Sequence, residues 1–204
     1  MTNPTRRDIA LLPLVLGVAA AGRAEAQMTV PVENASLTEV REALAKGTTT
    51  SSALTKAYLA RIEAYDQHGP ALNAISVTNG NALAEADARD AERRTDVHRG
   101  PLNGIPIIVK DNYDTSDLQT AAGSKSLAGW IPPDDAFLVT KLREAGAIII
   151  AKSNMHEFAY GITTLGSLFG QTRNPYALNR NPGGSSGGTG AAVAANFAAA
   201  GHGQ

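Results

Sequence analysis

Residues 181–190 read Asn181-Pro182-Gly183-Gly184-Ser185-Ser186-Gly187-Gly188-Thr189-Gly190 and run straight into the Ala-rich stretch 191–200. Four glycines flank a Ser-Ser pair, so the backbone can reach conformations that side chains normally forbid. The Ala-rich run that follows predicts the start of a buried helix. Hydroxyls on a Gly-rich loop at a helix N-terminus suit catalysis or anion binding, because free N–H groups and the positive end of the helix dipole converge there. The same ten residues also read as a flexible Gly/Ser linker. A nucleotide phosphate loop would need Gly-Lys-Ser/Thr at its end, where Gly190-Ala191-Ala192 stands instead.

Working upstream, Gly104-Ile105-Pro106-Ile107-Ile108-Val109-Lys110-Asp111-Asn112 contains a short β-branched run at 107–109, which predicts a buried strand ended by Lys110. A lysine taken out of water loses proton affinity and can serve as a neutral base. A surface lysine capping a strand is the alternative. Helix 136–145, closed by Gly146, followed at once by an apolar strand 147–151, predicts a βαβ unit and a parallel strand pair.

Earlier, Ser36-Leu37-Thr38-Glu39 has the capping-box pattern of a helix ending at Gly47, and 53–65 has apolar residues at helical spacing. A strand is expected at 74–77. Helix 82–94 interleaves Glu85, Asp87, Asp90 and Glu92 with Arg89, Arg93 and Arg94, the pattern of a solvated face.

Together the Lys110 and Ser-Ser segments resemble the amidase signature family, which includes amidases, fatty acid amide hydrolase and the A subunit of the glutamyl-tRNA amidotransferase. The resemblance runs from about Ser36 to the last residue. It includes Ala151-Lys152-Ser153-Asn154-Met155-His156-Glu157-Phe158-Ala159 and Phe169-Gly170-Gln171-Thr172-Arg173-Asn174-Pro175, four blocks in the family's order. It implies a single α/β domain, a mixed β-sheet flanked by helices on both faces, of which 27–204 is the N-terminal part of the amidase domain, truncated. It also implies a Ser-Ser-Lys triad with Lys110 as base and Ser185 as a bridging serine preceded by a cis peptide. Gly183, Gly184, Ser186 and Gly187 form the supporting loop, and Gly184 and Gly187 are expected to supply backbone freedom. The segment from Ala159 to Gly161 is implied as a wall of the acyl pocket. The nucleophile belongs to an Asp-X-Gly-Gly-Ser motif, which these residues do not contain; family spacing puts it roughly 24 residues after Ser185, as reach between base, relay and nucleophile requires. Gly201-His202-Gly203-Gln204 looks like its lead-in, and later strands of the sheet are expected to be missing, leaving parts of the core exposed.

The function implied is hydrolysis of a small carboxylic amide to acid and ammonia or amine, without a cofactor. The alternatives are a catalytically inactive fragment and the A subunit of a glutamyl-tRNA amidotransferase. His156 and Glu157 invite an acid/base reading, but helix-end packing and capping is preferred. Asn154 and Asn174 are expected to satisfy loop backbone groups.

Composition narrows the rest. Net charge is −1 over 204 residues, which gives no electrostatic argument for nucleic acid. With no cysteine there is neither a disulfide nor a thiol nucleophile, and His68, His98, His156 and His202 lack ligand spacing, so no metal is expected. Residues 1–26 read as an export signal of twin-arginine type: Arg6-Arg7, an apolar run at 9–21, then Ala24-Glu25-Ala26 before Gln27. That run is about 13 residues, short of the ~20 needed to span a bilayer, so a periplasmic or secreted protein without stable membrane insertion is expected. A homodimer is the protein partner anticipated.

Overall fold

The structure, a computed structural model, describes residues 32–97 and 99–203. The expected export signal lies outside the described residues. Five helices, α1 (Leu37–Ala45), α2 (Ser51–Tyr65), α3 (Ala82–Arg94), α4 (Phe137–Glu144) and α5 (Gly187–Ala194), flank a mixed sheet. The sheet contains β1 (Ile75–Thr78), β2 (Pro106–Lys110), β3 (Ile148–Ser153) and β6 (Ala200–His202) in the order β1-β3-β2-β6. β4 (Leu165–Gly166) and β5 (Gly170–Gln171) form a small antiparallel ribbon apart from it.

Strand β2 pairs parallel with β3 and with β6, while β1 pairs antiparallel with β3. The β2-α4-β3 crossover is the predicted βαβ unit. Both central strands are buried along their whole length, as expected for an apolar run covered on two faces. Ile105, Ile107, Ile108, Val109 and Ile148, Ile149, Ile150 join Val40, Leu54, Tyr58, Leu72 and Phe197 in one core.

Local signals set the helix ends. Ser36 and Glu39 form a complete capping box at α1, and Thr50 caps α2 through Ala53 N–H. Gly146, at φ +90, ends α4 in a conformation that side chains disfavour.

One expectation needs correction and another needs narrower bounds. Helix α3 is not solvated throughout: Asp90 is buried and accepts from the N–H groups of Ser51 at 2.8 Å and Ser52 at 2.9 Å, capping α2 from a neighbouring helix. The sequence spacing of α3 reveals its charges but not the helix end placed against them. The Ala-rich run does enter a buried helix, but only residues 191–194 belong to it. α5 begins within the Gly-rich loop and stops at Ala194; Asn196 turns left-handed at φ 58, and Phe197 N–H returns to Ala192 O. The chain then enters β6 beside β2, with Val109 opposite His202.

Candidate active site

The C-terminal ends of β2 and β3 lie in register, Lys110 opposite Ser153. Side chains alternate across a sheet, so Lys110 and Ser153 share one face and Lys152 the other. Helix α5 covers the Lys110 face, tied to it by a 2.7 Å hydroxyl pair between Ser153 Oγ and Thr189 Oγ1. This brings the loop at the head of α5 over the end of β2. Lys110 Nζ donates to Ser185 Oγ at 2.8 Å, and the Gly184–Ser185 peptide is cis. Lys110 is 1% exposed, and burial pushes its ammonium below the ordinary lysine range.

The loop is fastened at three points. His156 N–H donates to Ser185 O at 3.0 Å. Thr164 Oγ1 donates to Gly183 O at 2.6 Å and accepts from Gly187 N–H at 3.0 Å, stapling the loop on both sides of the serines. Glycine is needed here mainly for close approach. A Cβ on Gly184 would sit 2.9 Å from Ile162 C, and one on Gly187 would collide with Thr164 Oγ1. Backbone freedom belongs instead to Gly183, at φ +86, which corrects the expectation for Gly184 and Gly187. Ser186 takes the N-cap position of α5 without a side-chain cap bond to it.

The other candidates separate by their contacts. Glu157 accepts from Ser124 Oγ at 2.6 Å and from Ser167 N–H at 2.8 Å, and the Ser124 hydroxyl foremost holds its carboxyl below the usual range. His156 packs on Gly161, where any Cβ would meet the imidazole ring, and its Nδ1 lies 3.3 Å from Thr163 Oγ1. These are fastenings of the 156–167 segment. Asn154 Nδ2 donates to the Asn73 and Gly170 carbonyls and to Thr172 Oγ1, while Asn174 Oδ1 accepts from Tyr176 N–H. Ala159, at φ 58, is exposed, and beside it Phe158, Tyr160 and Ile162 present an apolar rim, Tyr160 being 93% exposed. Among the described residues no group of three His, Asp or Glu side chains could hold a metal ion, and no helix is long and apolar enough to cross a membrane.

Residues 53–204 match the family profile described as Amidase. The chain belongs to the amidase signature family. The A subunit of the glutamyl-tRNA(Gln) amidotransferase from Acidothermus cellulolyticus is 47% identical over 158 residues, covering 77% of this chain and 31% of its own length. The fold matches peptide amidase from Stenotrophomonas maltophilia at a TM-score of 0.80 and 44% identity, over 82% of this chain and 35% of that enzyme. It also matches a 6-aminohexanoate cyclic dimer hydrolase complexed with substrate, at 0.70 and 30% identity, over 83% and 33%. This amidase-family chain thus spans about a third of the length of the relatives it matches.

Two features of the site were not visible in sequence. Thr164 is an ordinary loop threonine whose double role depends on the fold. Lys152 stands in a block that carries the family resemblance, yet only the parallel register of β2 and β3, with Val109 opposite Lys152, sets it on the face opposite Lys110.

Proposed function

We propose that this segment supplies the base and bridging serine of a serine amidase. The observation that supports it is the 2.8 Å contact between buried Lys110 Nζ and Ser185 Oγ. In this mechanism neutral Lys110 accepts the Ser185 hydroxyl proton while Ser185 accepts that of an attacking serine, which bonds to the amide carbon. The proton held on Lys110 returns through Ser185 to the departing nitrogen, releasing ammonia or amine and leaving an acyl-enzyme. Water then opens the acyl-enzyme by the same relay. Burial suits Lys110 to this task because an amine must be unprotonated to act as a base near neutral pH.

The attacking serine is proposed to lie in an Asp-X-Gly-Gly-Ser motif of a longer protein, whose Gly-Gly N–H groups form the oxyanion hole, a contribution of a few kcal/mol. Ile162 lies beside Gly184, and the adjoining segment from Ala159 to Gly161 is proposed as a wall for the acyl group. The test is ammonia release from simple aliphatic and aromatic amides. A protein extended through the third motif should be active, and residues 27–204 alone inactive. Ammonia release from 27–204 that is lost on Ser185→Ala would overturn this assignment and require a different nucleophile.

A second reading, the A subunit of a glutamyl-tRNA amidotransferase, is favoured by the 47% identity to such a protein. Mass spectrometry of the protein from its host separates the two. A periplasmic chain beginning near Gln27 supports an exported amidase; intact residues 1–26 on a cytosolic protein support the amidotransferase.

A further inference from the structure

Behind the Lys110 face, on the opposite side of the same two strands, lies a second buried lysine. Lys152 is fully buried in β3. Its Nζ donates to Tyr113 O at 2.8 Å, Thr120 Oγ1 at 2.7 Å and Thr115 Oγ1 at 3.1 Å, with Gln119 O at 3.4 Å. These acceptors all belong to the excursion that leaves β2 immediately after Lys110. The excursion returns to its own start: Asp111 accepts through its carboxylate from Gly123 N–H at 3.1 Å and from Ala121 N–H at 3.4 Å, and through its carbonyl from Ala122 N–H at 3.1 Å. Asp111 Oδ1 is 3.9 Å from Lys152 Nζ.

The returning end touches the loop that holds Ser185. Phe158 N–H donates to Ala122 O and Leu168 N–H to Gly123 O, so residues 122–123 brace the 156–168 segment. That segment in turn donates to Ser185 O from His156 and staples Gly183 and Gly187 through Thr164. One buried ammonium therefore gathers the chain that adjoins Lys110 at one end and the Ser185 support at the other.

We propose that Lys152 is the positioning residue of the Lys110–Ser185 pair, acting through the 111–123 excursion from the face of the sheet opposite the reacting groups. A buried ammonium suits this role because three directed donors can hold three separate points of a chain, and each bond is stronger than a neutral one. The charged groups facing it are Asp111 in contact and Asp114, Asp117 and Asp135 further off. The proposal rests on Lys110 being a desolvated base, and the experiment separates the two ideas.

The test is trace acetylation of the 204-residue chain with acetic anhydride from about pH 6 to about pH 11, spanning the ordinary lysine range. Each lysine is read by mass spectrometry, with exposed Lys46 and Lys141 as internal standards. In the unaltered chain Lys110 should titrate below both standards. In Lys152→Met its titration should move to that of the standards and its labelling should rise several-fold. Thr120→Val, which removes one of the four acceptors at nearly constant volume, should move it part of the way. Val40→Ala, a core truncation in α1 chosen to lower Tm equally, should leave the Lys110 curve in place. A Lys110 curve unchanged in both Lys152→Met and Thr120→Val overturns the positioning role while leaving the base intact. If Lys152→Met does not fold, Thr120→Val alone decides. An ordinary Lys110 titration in the unaltered chain overturns both ideas.

Discussion

Lys110 Nζ and Ser185 Oγ meet at 2.8 Å across 75 residues of chain, the first at the end of a central strand and the second in a loop held over it. In the longer amidase proposed above, Lys110→Ala should lower kcat by about 10²–10⁴-fold at neutral pH, the usual share of a positioned base. The working form of Lys110 is neutral, and burial lowers its pKa, so activity should fall as pH drops through that pKa and level off above it. Steady-state rates against pH check both. A kcat unchanged by Lys110→Ala would remove the base from this site.

Gly188 and Gly190 lie two residues apart in the first turn of α5 and should respond in opposite ways. A Cβ on Gly188 would collide with Asn154 O, whereas nothing lies within 4 Å of one on Gly190. Gly188→Ala must push α5 off β3, costing about 1–3 kcal/mol as overpacked sites do. Gly190→Ala meets no obstacle and replaces a flexible residue within a helix, which should stabilise by roughly 0.5–1 kcal/mol. Urea titration of the two variants against the parent chain checks the pair, and equal effects would refute the packing account.

Much of this was legible in the residues. The capping box at Ser36, the β-branched run before Lys110 and the helix between β2 and β3 are local signals, and each element formed within a few residues of its expected span. The Ser-Ser loop and the lysine upstream could be paired only through a family resemblance, because nothing in their spacing says that β2 and α5 meet. What escaped depends on neighbours distant in sequence. Asp90 looks like any helix-surface acid until α2 points its N-terminus at it. The Ala-rich run looks continuous because alanine has high helix propensity, and only the left-handed turn at Asn196 and the open edge of β2 divide it into helix and strand.

Asp90 also makes a stability expectation. Its two oxygens satisfy two of the free N–H groups at the start of α2, and Oδ1 also receives Arg93 Nη1 at 2.9 Å. Asp90→Ala should destabilise by about 1–2 kcal/mol, the cost of losing a helix cap, and Asp90→Asn by less because one oxygen remains. Chemical denaturation gives the ranking. A cost for Asp90→Asn equal to that of Asp90→Ala would mean that charge rather than capping dominates.

The Asp111–Lys152 pair should leave a mark on stability as a function of pH. Burial acts most on both groups: it pushes the Asp111 carboxyl up to about 6 and the Lys152 ammonium down to about 8. A carboxyl of raised pKa keeps its proton in the folded chain where the unfolded chain has lost it. Its contribution is therefore full below the unfolded value of 3.8 and is lost as pH rises through about 6. An amine of lowered pKa behaves in the opposite sense, contributing fully above the unfolded value of 10.5 and losing that contribution as pH falls through about 8. Between those two pKa values both groups are charged and the pair bears its whole desolvation cost. The double variant Asp111→Asn with Lys152→Met has similar volume and neither titration. Relative to the parent chain it should be most favoured near pH 7, and the difference should shift toward the parent at about pH 4.5 and about pH 9.5, where one parent group is turning neutral. Urea denaturation at the three pH values measures this. A difference that stays flat across them would show that the two groups titrate alike in the folded and unfolded chain.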